Sequence, residues 1–164
     1  MKVSCSIDIS STPETVFHWL GRPEYAMVWM TTVSKTEMLH ETPDMVGSTF
    51  REYVEEDGQG IEMQGVVTGY VPNKSISFHL DSRVNTVDVD YLIEGAHEGV
   101  RLSENANVVW KFPMNIISIF TGTILRQNLV EQLREEFTKL KELSEGELLV
   151  IPSAGKGKNP EILS

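Results

Sequence analysis

The sequence predicts an α+β fold: a curved antiparallel sheet of seven strands wrapped around one long C-terminal helix, with two short helices after the first strand. Three observations predict it. Residues 32–111 run as segments of about ten residues rich in Val, Ile, Thr, Phe and Tyr, each closed by a short turn signal. Residues 114–144 contain no proline and a single glycine, Gly122, and their apolar residues recur at steps of three and four. A strand pattern followed by two short helical patterns precedes the whole.

The elements follow in order. Val3, Cys5, Ile7 and Ile9 alternate with Ser4, Ser6 and Asp8, which marks residues 3–9 as a half-buried strand. Ser11-Thr12-Pro13-Glu14 supplies a capping hydroxyl, a proline suited to a first helical turn and an early acid. A short helix over 13–20 buries Val16, Phe17 and Leu20 and stops at Gly21; a second runs from Pro23 to about Trp29. The turns Thr42-Pro43-Asp44, Asp57-Gly58, Pro72-Asn73-Lys74, Asp81-Ser82-Arg83 and Gly95 to Gly99 then bound strands at 32–41, 48–56, 61–71, 74–81, 84–94 and 99–111. Connections this short make hairpins, so the strands form a meander. Pro113 ends the sheet. The row Ile117, Phe120, Ile124, Leu125, Leu129, Leu133, Phe137, Leu140 gives the last helix an apolar face, opposite Gln127, Glu131, Arg134, Glu135, Lys141 and Glu142. A helix of some 30 residues is about 45 Å long, enough to cross the sheet. Residues 1–145 are thus one domain, and 146–164 a tail expected to be loosely ordered beyond Gly146.

Composition narrows the function classes. A chain of 164 residues, 40% hydrophobic and 23% charged, can bury a core without staples. Fourteen basic against 24 acidic residues give a net charge of -10, which repels nucleic acid and anionic lipid surfaces. Cys5 is the sole cysteine, so no internal disulfide can form, and MKVSCSIDIS lacks the apolar stretch of a signal peptide. No window reaches ~18 uninterrupted apolar residues. The expectation is a cytoplasmic protein with no integral membrane segment, no nucleic-acid partner and no cofactor.

Three motifs in order, "TPETVFHWLGRPEYAMVW", "DMVGSTF" and "LREEFTKLKELSE", carry a resemblance: with them the chain resembles the START-like helix-grip superfamily, which includes the birch-pollen allergen fold, plant hormone receptors and polyketide cyclase/dehydrase-like (SRPBCC) proteins. "TPETVFHWLGRPEYAMVW" resembles its opening pair of helices ending near a Trp, here Trp29. "DMVGSTF" resembles the Val-Gly that opens its third strand, and "LREEFTKLKELSE" its closing helix. The resemblance spans about residues 3–145. It implies a deep apolar cavity between sheet and helix, and it leaves function open, because the fold serves carriers, receptors, enzymes and co-chaperones.

Strand parity nominates the lining. Ile76, Phe78 and Leu80 share a face; so do Val87, Val89, Tyr91 and Ile93, and Leu102, Glu104, Ala106, Val108 and Trp110. From these rows Phe78, Val89, Tyr91 and Glu104 are candidate ligand contacts. Phe120, Ile124 and Asn128 join them from the helix, with Trp29 and Met63 near the mouth. Glu104 stands on an otherwise apolar row, where burial raises a carboxyl's pKa and suits it to orient the polar end of a ligand.

Other chemistry finds little support. His18, His40, His79 and His97 are isolated, so no metal site is expected. A Gly-x-Ser-x-Gly elbow is absent, Cys5 sits on an apolar row, and Ala154-Gly155-Lys156-Gly157-Lys158 does not match a phosphate loop. The leading expectation is binding, transport or sensing of a hydrophobic small molecule (a lipid, isoprenoid or polyketide-like compound) without catalysis. A polyketide cyclase/dehydrase-like enzyme using Glu104, Tyr91 or His79 is the first alternative, and a co-chaperone-like interaction module the second.

Overall fold

The computed structural model describes residues 1–56, 59–112 and 114–146, with no side-chain description for 56, 59 and 114–125. Asp57-Gly58, Pro113 and the tail beyond Gly146 therefore lie outside the described residues.

The elements match the periodicities that predict them. Strand β1 (Lys2–Ile9) leads into helix α1 (Pro13–Leu20). The Thr12 hydroxyl accepts a hydrogen bond from the Thr15 amide, and Pro13 occupies the first turn, where no amide donor is needed. A single 3-10 turn (Pro23–Tyr25) continues into α2 (Ala26–Trp29). Strands β2 (Val33–His40), β3 (Thr49–Glu56), β4 (Gln59–Val71), β5 (Ser75–Ser82), β6 (Asn85–Ala96) and β7 (Gly99–Trp110) follow, and α3 (Met114–Glu145) closes the chain.

Among the described residues the seven strands form one antiparallel sheet in the order β1-β7-β6-β5-β4-β3-β2. β2 to β7 are a plain meander, and β1 returns to pair with the last strand. The β6–β7 register is unbroken from Asn85↔Trp110 to Ala96↔Gly99. That continuity fixes which side chains of β7 point inward, Glu104 among them. The β6–β7 turn depends on Gly99, whose φ of +102° disfavours any side chain, and a Cβ there would stand 2.2 Å from the Ile9 carbonyl oxygen.

α3 lies against β1 and β7 and meets α1 and α2. Polar contacts tie its end to the β1–α1 junction. Lys141 Nζ donates to the Asp8 carbonyl at 2.7 Å and pairs with Glu145 at 2.6 Å, and Glu145 accepts from the Ser10 amide at 2.6 Å. Beneath that end the interior is solid: Ile9, Val16, Ile76, Val100, Leu102, Phe137 and Leu140 are each no more than 1% exposed. Toward the other end of the strands the packing opens.

Candidate functional site

The opening is a cavity of about 210 Å³ between the sheet and α3. Cavities of about 150 Å³ already admit a benzene ring, so this is more than a packing defect. The inward rows of β3 to β7 build its wall. Phe50 and Val54 come from β3, Met63 from β4, Phe78 and Leu80 from β5, Val87 and Val89 from β6, and Ala106, Val108 and Trp110 from β7. Trp29 and Met30 from the short helices and Leu129 and Leu133 from α3 cover it.

The same rows, followed the other way, become the solid core: Ile76 on β5, Ile93 on β6, Leu102 on β7 and Phe137 on α3. The boundary between the two regions is the floor of the cavity, and its residues are polar. Glu104 lies between Leu102 and Ala106 on β7 and is 3% exposed. Its neighbour across the ladder is Tyr91. The Tyr91 ring meets Trp29 edge-on at 6.2 Å and Phe78 at 6.4 Å, so the phenol is held from both sides. Glu52, between Phe50 and Val54 on β3, also lines the cavity.

A third acid comes from α3. Glu136 is fully buried, and its Oε1 accepts from the Thr31 amide at 3.0 Å, the Thr31 hydroxyl at 3.0 Å and Gln132 Nε2 at 3.1 Å. Gln132 also donates to the Thr32 hydroxyl at 3.2 Å, which locks α3 to the segment after α2. Glu136 Oε2 and Glu104 Oε2 are both buried without a hydrogen-bond partner among the described residues.

This environment governs protonation. Burial pushes Glu104 up to about 7, with the nearby Glu136 adding to the rise and the Tyr91 phenol opposing it. Burial likewise pushes Glu52 up to about 7, again with help from Glu136. Tyr91 is held well above the usual phenol range, first by burial and then by the carboxyls of Glu104, Glu136 and Glu52. Near neutral pH Glu104 and Glu52 each sit between proton donor and acceptor.

Of the sequence-predicted contacts, Trp29, Met63, Phe78, Val89, Tyr91 and Glu104 all line the cavity. Phe120 and Ile124 fall on the part of α3 whose side chains are not described. Asn128 is corrected: it is exposed and is not among the described residues that line the cavity. The buried face of α3 runs through Leu129, Gln132, Leu133, Glu136 and Phe137, and one residue before Leu129 the helix has turned about 100° away. His79 points outward, its Nδ1 2.6 Å from Asp88 Oδ1, and Cys5 is a half-buried thiol raised by burial and by Glu104.

Sequence reasoning missed Glu52 and Glu136, though both left a signal. Glu52 shares parity with Phe50 and Val54, the same pattern that exposes Glu104. Glu136 falls three residues after Leu133 and four before Leu140, inside the apolar stripe. Among the described residues no three His, Cys, Asp or Glu side chains are grouped to hold a metal, and no helix is long and apolar enough to cross a membrane.

The sheet order, the enclosed helix and the cavity together define the START-like helix-grip class. The chain belongs to the family described as polyketide cyclase/dehydrase and lipid transport, whose model matches residues 1–145. No curated protein matches the sequence significantly. Solved structures agree in fold. A Thermus thermophilus protein superimposes with a TM-score of 0.75 at 13% identity, over 88% of this chain and 97% of its own. A START superfamily protein from Mycobacterium smegmatis gives 0.74 at 19% identity, over 88% and 97%. The di-domain ARO/CYC StfQ from the steffimycin biosynthetic pathway gives 0.74 at 13% identity, over 88% of this chain and 50% of that one.

Proposed function

We propose that the protein binds a hydrophobic small molecule in this cavity, apolar body toward the mouth and polar end down against Glu104 and Tyr91. The observation that carries the reading is the cavity's division of labour: a wall of aliphatic and aromatic side chains over a floor where Glu104 Oε2 has no partner among the described residues. An orphaned buried carboxyl oxygen is costly, and a ligand donor that reaches it removes the cost. Pockets of this make-up hold ligands by apolar contact and orient them by a few polar groups. The family's description, which includes lipid transport, supports the same reading.

The test is dye displacement. An environment-sensitive fluorophore is bound to the purified protein and challenged with a panel of isoprenoids, fatty acids and aromatic polyketides. Saturable displacement near one equivalent, weakened about tenfold or more in Glu104→Gln, is expected, since a hydrogen bond to a charged group contributes ~1.5–3 kcal/mol. Unchanged affinity in a folded Glu104→Gln protein would refute the anchoring role, and a cavity that takes up neither dye nor ligand would refute the whole reading.

A second reading has one observation in its favour. Glu52 and Glu104 are both pushed up to about 7, the range that suits general acid–base work at neutral pH. The likeness in fold to an ARO/CYC protein points the same way. On this reading the cavity holds a flexible substrate in a reactive pose while a carboxyl shuttles a proton. Recovery of a bound polyketide with one water lost, from wild type and not from Glu104→Gln, would establish it; recovery unchanged from both leaves binding alone.

A further inference from the structure

We infer that the preferred ligand carries a basic nitrogen, held as an ammonium group against Glu104 in a cavity that Glu52 also lines. This assignment deepens the binding reading and rests on it.

Charge balance points to the ammonium group. Two carboxyls line the cavity and a third, Glu136, lies buried behind them. A buried acid is either held neutral by a raised pKa or matched by a cation, because an unmatched carboxylate loses its hydration without return. Among the described residues the match is missing. Arg22 is the single cation among the described lining residues, and it is occupied elsewhere. Its guanidinium lies 3.1 Å from Glu41 and 3.7 Å from Glu24, with the side chain 45% exposed, which puts it at the rim. Nor does the stretch 113–125 bring a cation, since it contains no charged residue.

The groups that face the two acids are themselves neutral or acidic. From β6 comes Tyr91, from α3 Glu136 and Gln132, and from β1 Cys5, whose thiol is raised in part by Glu104. Arg134 is exposed on α3, and its charge reaches the Cys5 thiol, where it opposes the effect of Glu104. None of these supplies a buried positive charge. Glu136 Oε1 is already satisfied by three donors, whereas Glu104 Oε2, on a residue 3% exposed in the cavity wall, has none among the described residues.

An ammonium group fits this floor on three counts. It supplies donors to the orphaned oxygen, it neutralises a repulsive set of acids, and the rings of Trp29, Phe78 and Tyr91 can face its substituents. A divalent metal fits less well, because the described carboxyls are not grouped as metal ligands. The net charge of -10 adds a long-range field that draws cations in and holds anions off.

Ammonium binding carries a pH signature. An amine binds the ionised carboxyls, so its affinity tightens as pH rises through about 7. A carboxylate ligand needs the floor protonated and tightens as pH falls. A neutral ligand is flat.

The experiment is calorimetric titration of the purified protein with matched probes: phenethylamine, phenethyl alcohol and phenylpropionate, then decylamine, decanol and decanoate. The amine of each set is expected to bind at least about tenfold tighter than its alcohol at neutral pH, with the carboxylate weakest, and to tighten between roughly pH 6 and 8. Glu104→Gln and Glu52→Gln should each narrow the amine's advantage. Glu94→Gln, which removes the same charge from the exposed face of β6, should leave it unchanged. Alcohol binding equal to amine binding, or a preference that survives both cavity variants, overturns the ammonium assignment and leaves the binding reading standing. Failure of all six probes to bind overturns both.

Discussion

Glu52 and Glu104 ionise at a cost in the folded protein, and the pH dependence of stability should show it. Both carboxyls rise from 4.5 to about 7 on folding, so the native state holds more protons than the unfolded chain between those values. Their contribution is fully present below about pH 4.5 and is lost as pH rises through about 7, at roughly 1.4 kcal/mol per pKa unit for each group. Urea melts of the ligand-free protein should therefore show stability falling from pH 5 to pH 8. Glu104→Gln, an isostere that never ionises, should flatten that slope and be the more stable protein at pH 8. A steep slope that persists in both Gln variants would place its origin elsewhere.

Gly65 shapes the same wall by steric means. The Phe50 ring lies over its Cα, and a Cβ there would stand 2.2 Å from the ring's Cζ. Gly65→Ala should displace Phe50 from the cavity wall and cost about 1–3 kcal/mol, measured by thermal or urea unfolding. A neutral substitution would mean the ring can move without loss.

Parity reads such residues well where a strand is regular. The unbroken β6–β7 ladder is why Tyr91 and Glu104 were legible in the sequence. Glu52 carried the same alternation but sits in a strand that ends in a run of acids, where one more glutamate draws no notice. Glu136 depends on the rotation of α3 about its axis, which a 32-residue helix with two partly apolar flanks leaves loosely specified. The same looseness misplaced Asn128.

At the scale of elements, α3 does two jobs along its length. Its C-terminal part seals the solid core through Phe137 and Leu140, both fully buried, and is tied by Lys141 and Glu145 to the end of β1. Leu129 and Leu133, nearer its start, roof the cavity. Substitutions should divide accordingly. Leu140→Ala should cost about 2–5 kcal/mol in urea unfolding, as full burial implies. Leu133→Ala borders empty space, so it should cost less stability and alter ligand affinity more. Equal stability losses at the two positions would contradict the division. The elements themselves were legible because each hairpin is short and each turn carries its own Gly, Pro, Asn or Asp signal. The pairing of β1 with β7 was not, since nothing local links residues some hundred positions apart.

On the scale of the whole molecule, the architecture separates stability from binding. One end of the strands is packed to near-zero exposure, so the other can stay open without unfolding the domain. That arrangement explains how one fold accommodates many functions: the packed end sustains the domain while wall and floor residues vary. In this chain the open end is an apolar wall with buried acids inside a strongly acidic protein.

The central claim is that the cavity is made to be occupied. Native mass spectrometry of freshly purified protein, followed by denaturing extraction, tests it most directly. An occupied cavity gives a stoichiometric extra mass that disappears on denaturation, or, for protein that emerges empty, one-to-one uptake of an apolar amine added to the same sample. A clean apo mass that persists through such additions, with the cavity wall excluding every apolar probe, would contradict it.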